Sequence, residues 1–445
     1  MTVSPFDSLL YRDLFGDAEI GQLFSDSADL RAMMLVLGSL ARVQGDAGVI
    51  PQVSGRFLAR AVMEVQIDPG GLTASVGENG VTVPALVAAM RKALDAPEHA
   101  QYLHWGATSQ DIQDSALMLR LKRALIVIET RIDRALIALA DLADAQADTP
   151  QAARTYGQVA VASSFGALVA AWGGPVLRAK SRLPGLRDHA LCVSLSGAAG
   201  TGTMLGPDPA AIRAGLADAL GLGDPGGSWH AARDRIAELA AWCVSITTAG
   251  GKLGEDLLRL TRSDVAEVSL AGGGASSTMP QKQNPVAPSV LVALARVAAA
   301  QNTVIGGGLH GEARDGAAWF AEWLTLPGLV LCAARALNLM TELAQGIRVD
   351  AARMGAVLDD PLGLIHAEAL SFALAAQMPR AEAQALVKSL FLKSKSEHEP
   401  LPILLEAAVP GFAAQVITAR RDLGQAPLDA RGFAALARAA VAGKG

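Results

Sequence analysis

From residue 107 to residue 149 the chain contains neither glycine nor proline. Apolar residues Ile112, Ala116, Leu119, Ile126, Ile132, Leu136 and Leu139 recur along it at loose helical spacing. Read as one helix over 111–147, the segment is about 55 Å long at about 1.5 Å per residue. That exceeds what a monomeric domain needs and predicts a bundle of long helices, extended across subunits. Three further stretches carry the same pattern. They are 229–269, with an interruption expected at Gly250-Gly251, 288–305, with Pro288 in the first turn, and 327–348, starting at Pro327.

Composition supports helix throughout. Half of the 445 residues are hydrophobic, yet aromatics make up only 4%. Ala, Leu and Val supply much of the rest, and Ala and Leu lose little entropy in a helix. Strand-like alternation is nearly absent. The length suits more than one domain. The expected architecture is all-α, with an N-terminal helical domain over 1–110, a central long-helix bundle over 111–360 and a small C-terminal helical domain over 361–445.

Several functional classes drop out. The net charge is −5, and no basic stripe marks a nucleic-acid partner. Cys192, Cys243 and Cys332 have no paired spacing, which predicts buried thiols in a reducing compartment. The histidines show no metal-ligand spacing, so no metal is expected. Residues 1–15 lack a basic start followed by an apolar run, so no signal peptide is read. The uncharged stretch 155–177 is long enough to cross a membrane, but Gln158, Ser163, Ser164 and Gly173-Gly174-Pro175 favour the centre of a bundle. A cytoplasmic chain with no membrane partner is expected.

The most informative segment is 272–288, GGGASSTMPQKQNPVAP. Glycines at its start let the loop move and prolines stiffen its far end. Ser, Lys and Asn just ahead of a helix suit closure over a small anion. The string fits S-S-x-M-P-x-K-x-N-P, whose seven fixed positions recur by chance on the order of once in 10⁹ placements. Residues 104–114 read HWGATSQDIQD, where Thr108, Ser109 and Gln110 can donate hydrogen bonds to an anion near a helix N-terminus. Residues 154–166 read RTYGQVAVASSFG.

In that order these three segments resemble the conserved segments of the fumarase/aspartase superfamily. The opening segments SPFDSLLYRDLFGDAEIGQLFSD and RAMMLVLGSLARVQGDAGVIP, with EARDGAAWFAEWLTLP at 312–327, resemble the muconate cycloisomerase family within it. The resemblance implies Ser276 as catalytic acid/base, with Ser277 as the alternative. It implies Lys282 as a catalytic cation, and Met279, Asn284, Thr108, Ser109, Gln110, Gln158 and Arg314 as substrate contacts. His104 would position substrate. Tyr156 stands where the family commonly has histidine. A phenol can donate a proton, but its ordinary pKa of about 10 makes it a poor base at neutral pH. Ala275 stands where the family often has glycine.

The resemblance further implies a cycloisomerase of aromatic catabolism. It would add a carboxylate of 3-carboxy-cis,cis-muconate across a double bond of the same molecule, with a carbon next to another carboxylate gaining a proton. A small polycarboxylate substrate, no cofactor and a homotetramer with shared active sites go with it. The alternatives are a fumarate-releasing lyase, such as adenylosuccinate or argininosuccinate lyase, and a non-catalytic helical scaffold of the same fold.

Overall fold

The computed structural model describes residues 4–443 except 273, 276, 277, 280, 281, 420 and 421. It is predominantly helical. Ser109–Ala145, Phe165–Ala190, Asp234–Leu260, Val286–Gly306 and Gly316–Gly346 are long helices. The glycine- and proline-free run thus forms one uninterrupted helix of 37 residues.

Two of the sequence expectations need correction at helix ends. Asp234–Leu260 runs straight through Gly250-Gly251. Gly251 is there for contact, because a Cβ at that position would come within 2.7 Å of the Ala295 Cβ on the neighbouring helix. Pro327 does not start a helix but lies inside Gly316–Gly346. Its missing N–H removes one internal bond, and the turns on either side carry the helix past it.

Strand is also present where none was read. Pro150–Thr155 and Gln158–Ser164 form an antiparallel hairpin, so the uncharged stretch 155–177 divides between a strand and the start of Phe165–Ala190. Two shorter pairs occur, Val268–Leu270 with Ile347–Val349 and Gly274–Ala275 with Gln283–Asn284.

The chain divides into two compact units. The first comprises 1–133, 178–251 and 290–339, the second 134–177, 252–289 and 340–445. In the first unit, Asp26–Asp46 and Gln52–Glu64 pack over a core built on Met33, Leu37, Leu58, Leu86 and Met90. Polar contacts then knit its helices together. Lys180 pairs with Asp133, Trp242 Nε1 donates to the Ala179 carbonyl at 2.9 Å, and Asp17 accepts from both Arg131 and Asn338. In the second unit, Trp172 Nε1 donates to Asp256 at 2.8 Å, and Leu370, Leu374, Val387, Leu401 and Leu405 form a small C-terminal core. Arg438, on the last helix, Ala426–Ala442, pairs with Asp141 and Asp144.

Candidate active site

The first unit gathers the residues of the 104–114 segment around the start of helix Ser109–Ala145. Gly106 is required just ahead of it. It is left-handed at φ 72°, and a Cβ there would strike the Met204 carbonyl oxygen. Asp111, in the first turn and fully buried, reaches back to the Thr108 N–H at 2.9 Å. This is the reciprocal half of a capping box. The same carboxylate accepts from Ser196 N–H at 2.8 Å and Gly197 N–H at 2.9 Å, and meets His230 Nε2 at 2.8 Å. Spending Asp111 on the backbone leaves the Thr108 hydroxyl available to another group.

That group is Arg314. Its guanidinium donates to Thr108 Oγ1 at 2.9 Å, and its backbone N–H donates to Gln110 Oε1 at 2.9 Å. Gln110 is fully buried and sends Nε2 to the His230 carbonyl at 2.9 Å. Arg314 itself sits at φ 59°, a left-handed conformation that costs a non-glycine residue about 1–2 kcal/mol. His104 is left-handed too, at φ 68°, and its Nε2 is buried with no hydrogen-bond partner among the described residues. Burial lowers the imidazole pKa below its ordinary 6.5, against the opposing effects of a hydrogen bond with the Thr108 backbone and the Asp111 charge. The result is an exposed guanidinium bonded to Thr108 at a helix N-terminus, with the lowered-pKa imidazole of His104 in the same segment, a corner suited to a carboxylate.

Beneath this corner lies a charged network that the sequence reading missed. Arg233 binds Asp114 at 2.6 and 3.2 Å and Glu322 at 2.9 and 2.5 Å, while its guanidinium stacks 4.7 Å from the Trp229 ring centroid. Burial works to lower the Arg233 pKa, but the two carboxylates outweigh it and raise it. Asp114 also accepts from Trp319 Nε1 at 3.2 Å, and Glu322 from His310 Nε2 at 3.2 Å. Asp114 lies four residues after Gln110, on the same helix face.

The second unit holds the other sequence-selected residues. Tyr156 and Gly157 are the two central residues of the hairpin turn, at φ 51° and 76°. Positive φ at both positions defines a type I′ turn, which favours Asn or Gly and not a bulky ring. Tyr156 is fully exposed at this tip and Gln158 is exposed beside it. Arg154 ion-pairs with the fully buried Glu267, which also accepts from Gln151 Nε2 at 3.0 Å. A cavity of about 730 Å³ opens along the hairpin, lined by Arg154, Tyr156, Lys252, Asp256, Arg259 and Arg262 among others. Lys282 and Met279 are exposed and Asn284 is half-buried, with the Lys282 N–H bonded to the Met279 carbonyl at 3.0 Å. Ser276 and Ser277 lie outside the described residues. Ser109 is half-buried at the first helical position in the first unit. The structure therefore brings His104, Thr108, Ser109, Gln110 and Arg314 together in one unit, and Tyr156, Gln158, Met279, Lys282 and Asn284 fall in the other.

Comparison with known proteins identifies relatives of the whole chain. A family model described as Lyase matches residues 63–299. The 3-carboxy-cis,cis-muconate cycloisomerase of Pseudomonas aeruginosa is 36% identical over 402 residues, covering 89% of this chain and 88% of the relative. The enzyme of the same name from Bradyrhizobium diazoefficiens is 35% identical, covering 90% of each chain. The crystal structure of a 3-carboxy-cis,cis-muconate lactonizing enzyme from Pseudomonas putida superposes with a TM-score of 0.89 at 30% identity, covering 97% of this chain and 100% of that one. The chain belongs to the lyase family, within the fumarase/aspartase superfamily, together with these cycloisomerases.

Proposed function

We propose that this enzyme converts 3-carboxy-cis,cis-muconate to a carboxymuconolactone, within the catabolism of aromatic acids. The observation that carries this reading is the Arg314–Thr108 pair at the start of Ser109–Ala145, a fixed cation and hydroxyl that match a substrate carboxylate. Extensive identity to the named cycloisomerases supports it.

One substrate carboxylate oxygen attacks the alkene carbon β to a second carboxylate. The π electrons move to the α carbon and onto that second carboxylate, giving an enolate-like dianion. Stabilising this charge is the demanding step. Arg314 and Thr108 of one chain hold a substrate carboxylate, and Lys282 and Asn284, contributed by a neighbouring chain, hold the developing charge. The Ser276 hydroxyl delivers a proton to the α carbon and is reprotonated from solvent. Tyr156 and Gln158, at the hairpin tip, contact the substrate from a neighbouring chain. Exposed apolar side chains on the long helices, Ile126, Val297, Val304 and Leu324, support a homotetramer in which such sharing occurs.

Loss of the ultraviolet absorbance of the diene on mixing substrate with purified protein tests the reading. Ser276→Ala lowers turnover by at least about 10²-fold, the scale of a lost general acid, with the helical circular dichroism retained. Fumarate release from a succinyl adduct in place of lactone formation, or near-normal turnover by the serine variant, overturns it.

A further inference from the structure

We propose that Gln110 and His310 are positioning residues that hold Arg314 in its left-handed conformation, and that neither touches substrate. The inference rests on the reading of Arg314 as a carboxylate contact.

The segment carrying Arg314 has little stiffness of its own. Residues 306–316 read GGGLHGEARDG, and glycines permit many backbone states. Left free, Arg314 relaxes to negative φ and its guanidinium leaves Thr108. Two buried side chains prevent this. Gln110, fully buried, accepts the Arg314 N–H at 2.9 Å and donates Nε2 to the His230 carbonyl at 2.9 Å. Those two backbone partners fix which end of the amide is oxygen. With each end of the amide committed to backbone and no exposed surface, Gln110 is out of a ligand's reach. His310, its side chain 1% exposed, bonds Glu322 at 3.2 Å. Glu322 is held by Arg233, and Arg233 by Asp114.

Both restraints end on the same helix. Gln110 and Asp114 are one turn apart on one face of Ser109–Ala145. The two ends of the 310–314 segment are thus moored to adjacent points of a single rigid element. Just past it, the Asp315 carboxylate accepts from the Gly311 N–H at 3.1 Å and the Ala318 N–H at 3.4 Å, tying the segment to the start of Gly316–Gly346.

A double-mutant cycle on the full-length enzyme, read as kcat/KM for 3-carboxy-cis,cis-muconate, tests the proposal. Arg314→Ala lowers kcat/KM by about 10- to 100-fold, as loss of a charge-assisted contact does. Gln110→Leu and His310→Ala each lower it about tenfold or more. Because Gln110 acts through Arg314, the Gln110→Leu/Arg314→Ala double variant is no slower than Arg314→Ala alone. His310→Gln, which keeps a donor for Glu322, recovers most of the activity lost in His310→Ala. Unchanged kcat/KM in Arg314→Ala overturns the assignment of the site. A defect in Arg314→Ala with additive losses in the double variant, or no rescue by His310→Gln, overturns the positioning role alone. Should Gln110→Leu fail to fold, the His310 pair with Arg314→Ala carries the same cycle.

Discussion

Replacing Arg233 by methionine removes the cation from between two buried carboxylates. The Arg233 side chain is 6% exposed, Asp114 0% and Glu322 5%. Four charge-assisted hydrogen bonds disappear at once, and Met fills most of the space. Breaking a buried pair by deleting one partner costs about 3–5 kcal/mol, since the remaining charge stays desolvated. Two carboxylates are stranded here, although Trp319 and His310 still bond them, so a loss of about 4–5 kcal/mol is expected. The stranded carboxylates escape by taking up a proton, with folded-state pKa values raised by burial. A raised carboxyl binds more protons folded than unfolded, so the variant gains stability as pH falls from 7.5 to 5.5 and its deficit against the parent shrinks. Urea unfolding followed by circular dichroism at both pH values measures this. Removing all three charges together, as Arg233→Met, Asp114→Leu and Glu322→Met, restores most of the loss, because well-packed apolar replacements of a buried ion cluster are tolerated. A deficit below about 1 kcal/mol, or one equal at both pH values, refutes the view that these carboxylates are desolvated ions.

Three further outcomes follow from the geometry. Tyr156→Asn places a favoured residue at the type I′ turn and raises the thermal midpoint slightly, by relief of about 1 kcal/mol, while turnover falls; a lower midpoint contradicts the turn argument. The depressed His104 pKa means the unfolded chain binds more protons below 6.5, so stability drops as pH falls past that value. The decline is shallower in His104→Gln, and parallel urea midpoints from pH 7.5 to 5.5 for parent and variant would remove His104 as a source. Burial pushes the Cys332 thiol up to about 12 and raises Cys192 and Cys243 as well. Ellman's reagent at pH 8 therefore labels the folded protein slowly and all three thiols in urea; one rapid thiol in the folded state contradicts their burial.

Helix Ser109–Ala145 was legible to within two residues at each end, because a run without glycine or proline has nowhere else to stop. Val286–Gly306 was nearly as plain. The hairpin was not, for a physical reason. Its strands, PQAART and QVAVASS, are rich in Ala, Ser and Gln with few β-branched residues, and its turn lacks the usual Asn-Gly or Asp-Gly signal. Of the site, Thr108, Gln110 and Arg314 were found through motif resemblance and lie together as a cluster. Asp111 belonged to the same motif, yet its role as the hub for three backbone amides emerges only when Ser196 and Gly197 are folded against it. His230 and Arg233 carry no local pattern, since their partners on Ser109–Ala145, Asp111 and Asp114, stand 119 residues away in sequence, and Glu322 meets Arg233 across 89 residues. Burial of a charge is a three-dimensional property that spacing does not report.

Because Gln110 and Asp114 share one face of a continuous helix, their common bearing is a matter of phase. Inserting or deleting a single residue between them swings one by about 100° around the axis relative to the other. Sequences descended from this one can exchange side chains in the opening turns, but a change of chain length there unseats two moorings together. Divergence by insertion is confined to stretches such as the connections between helices, where no angular register is kept.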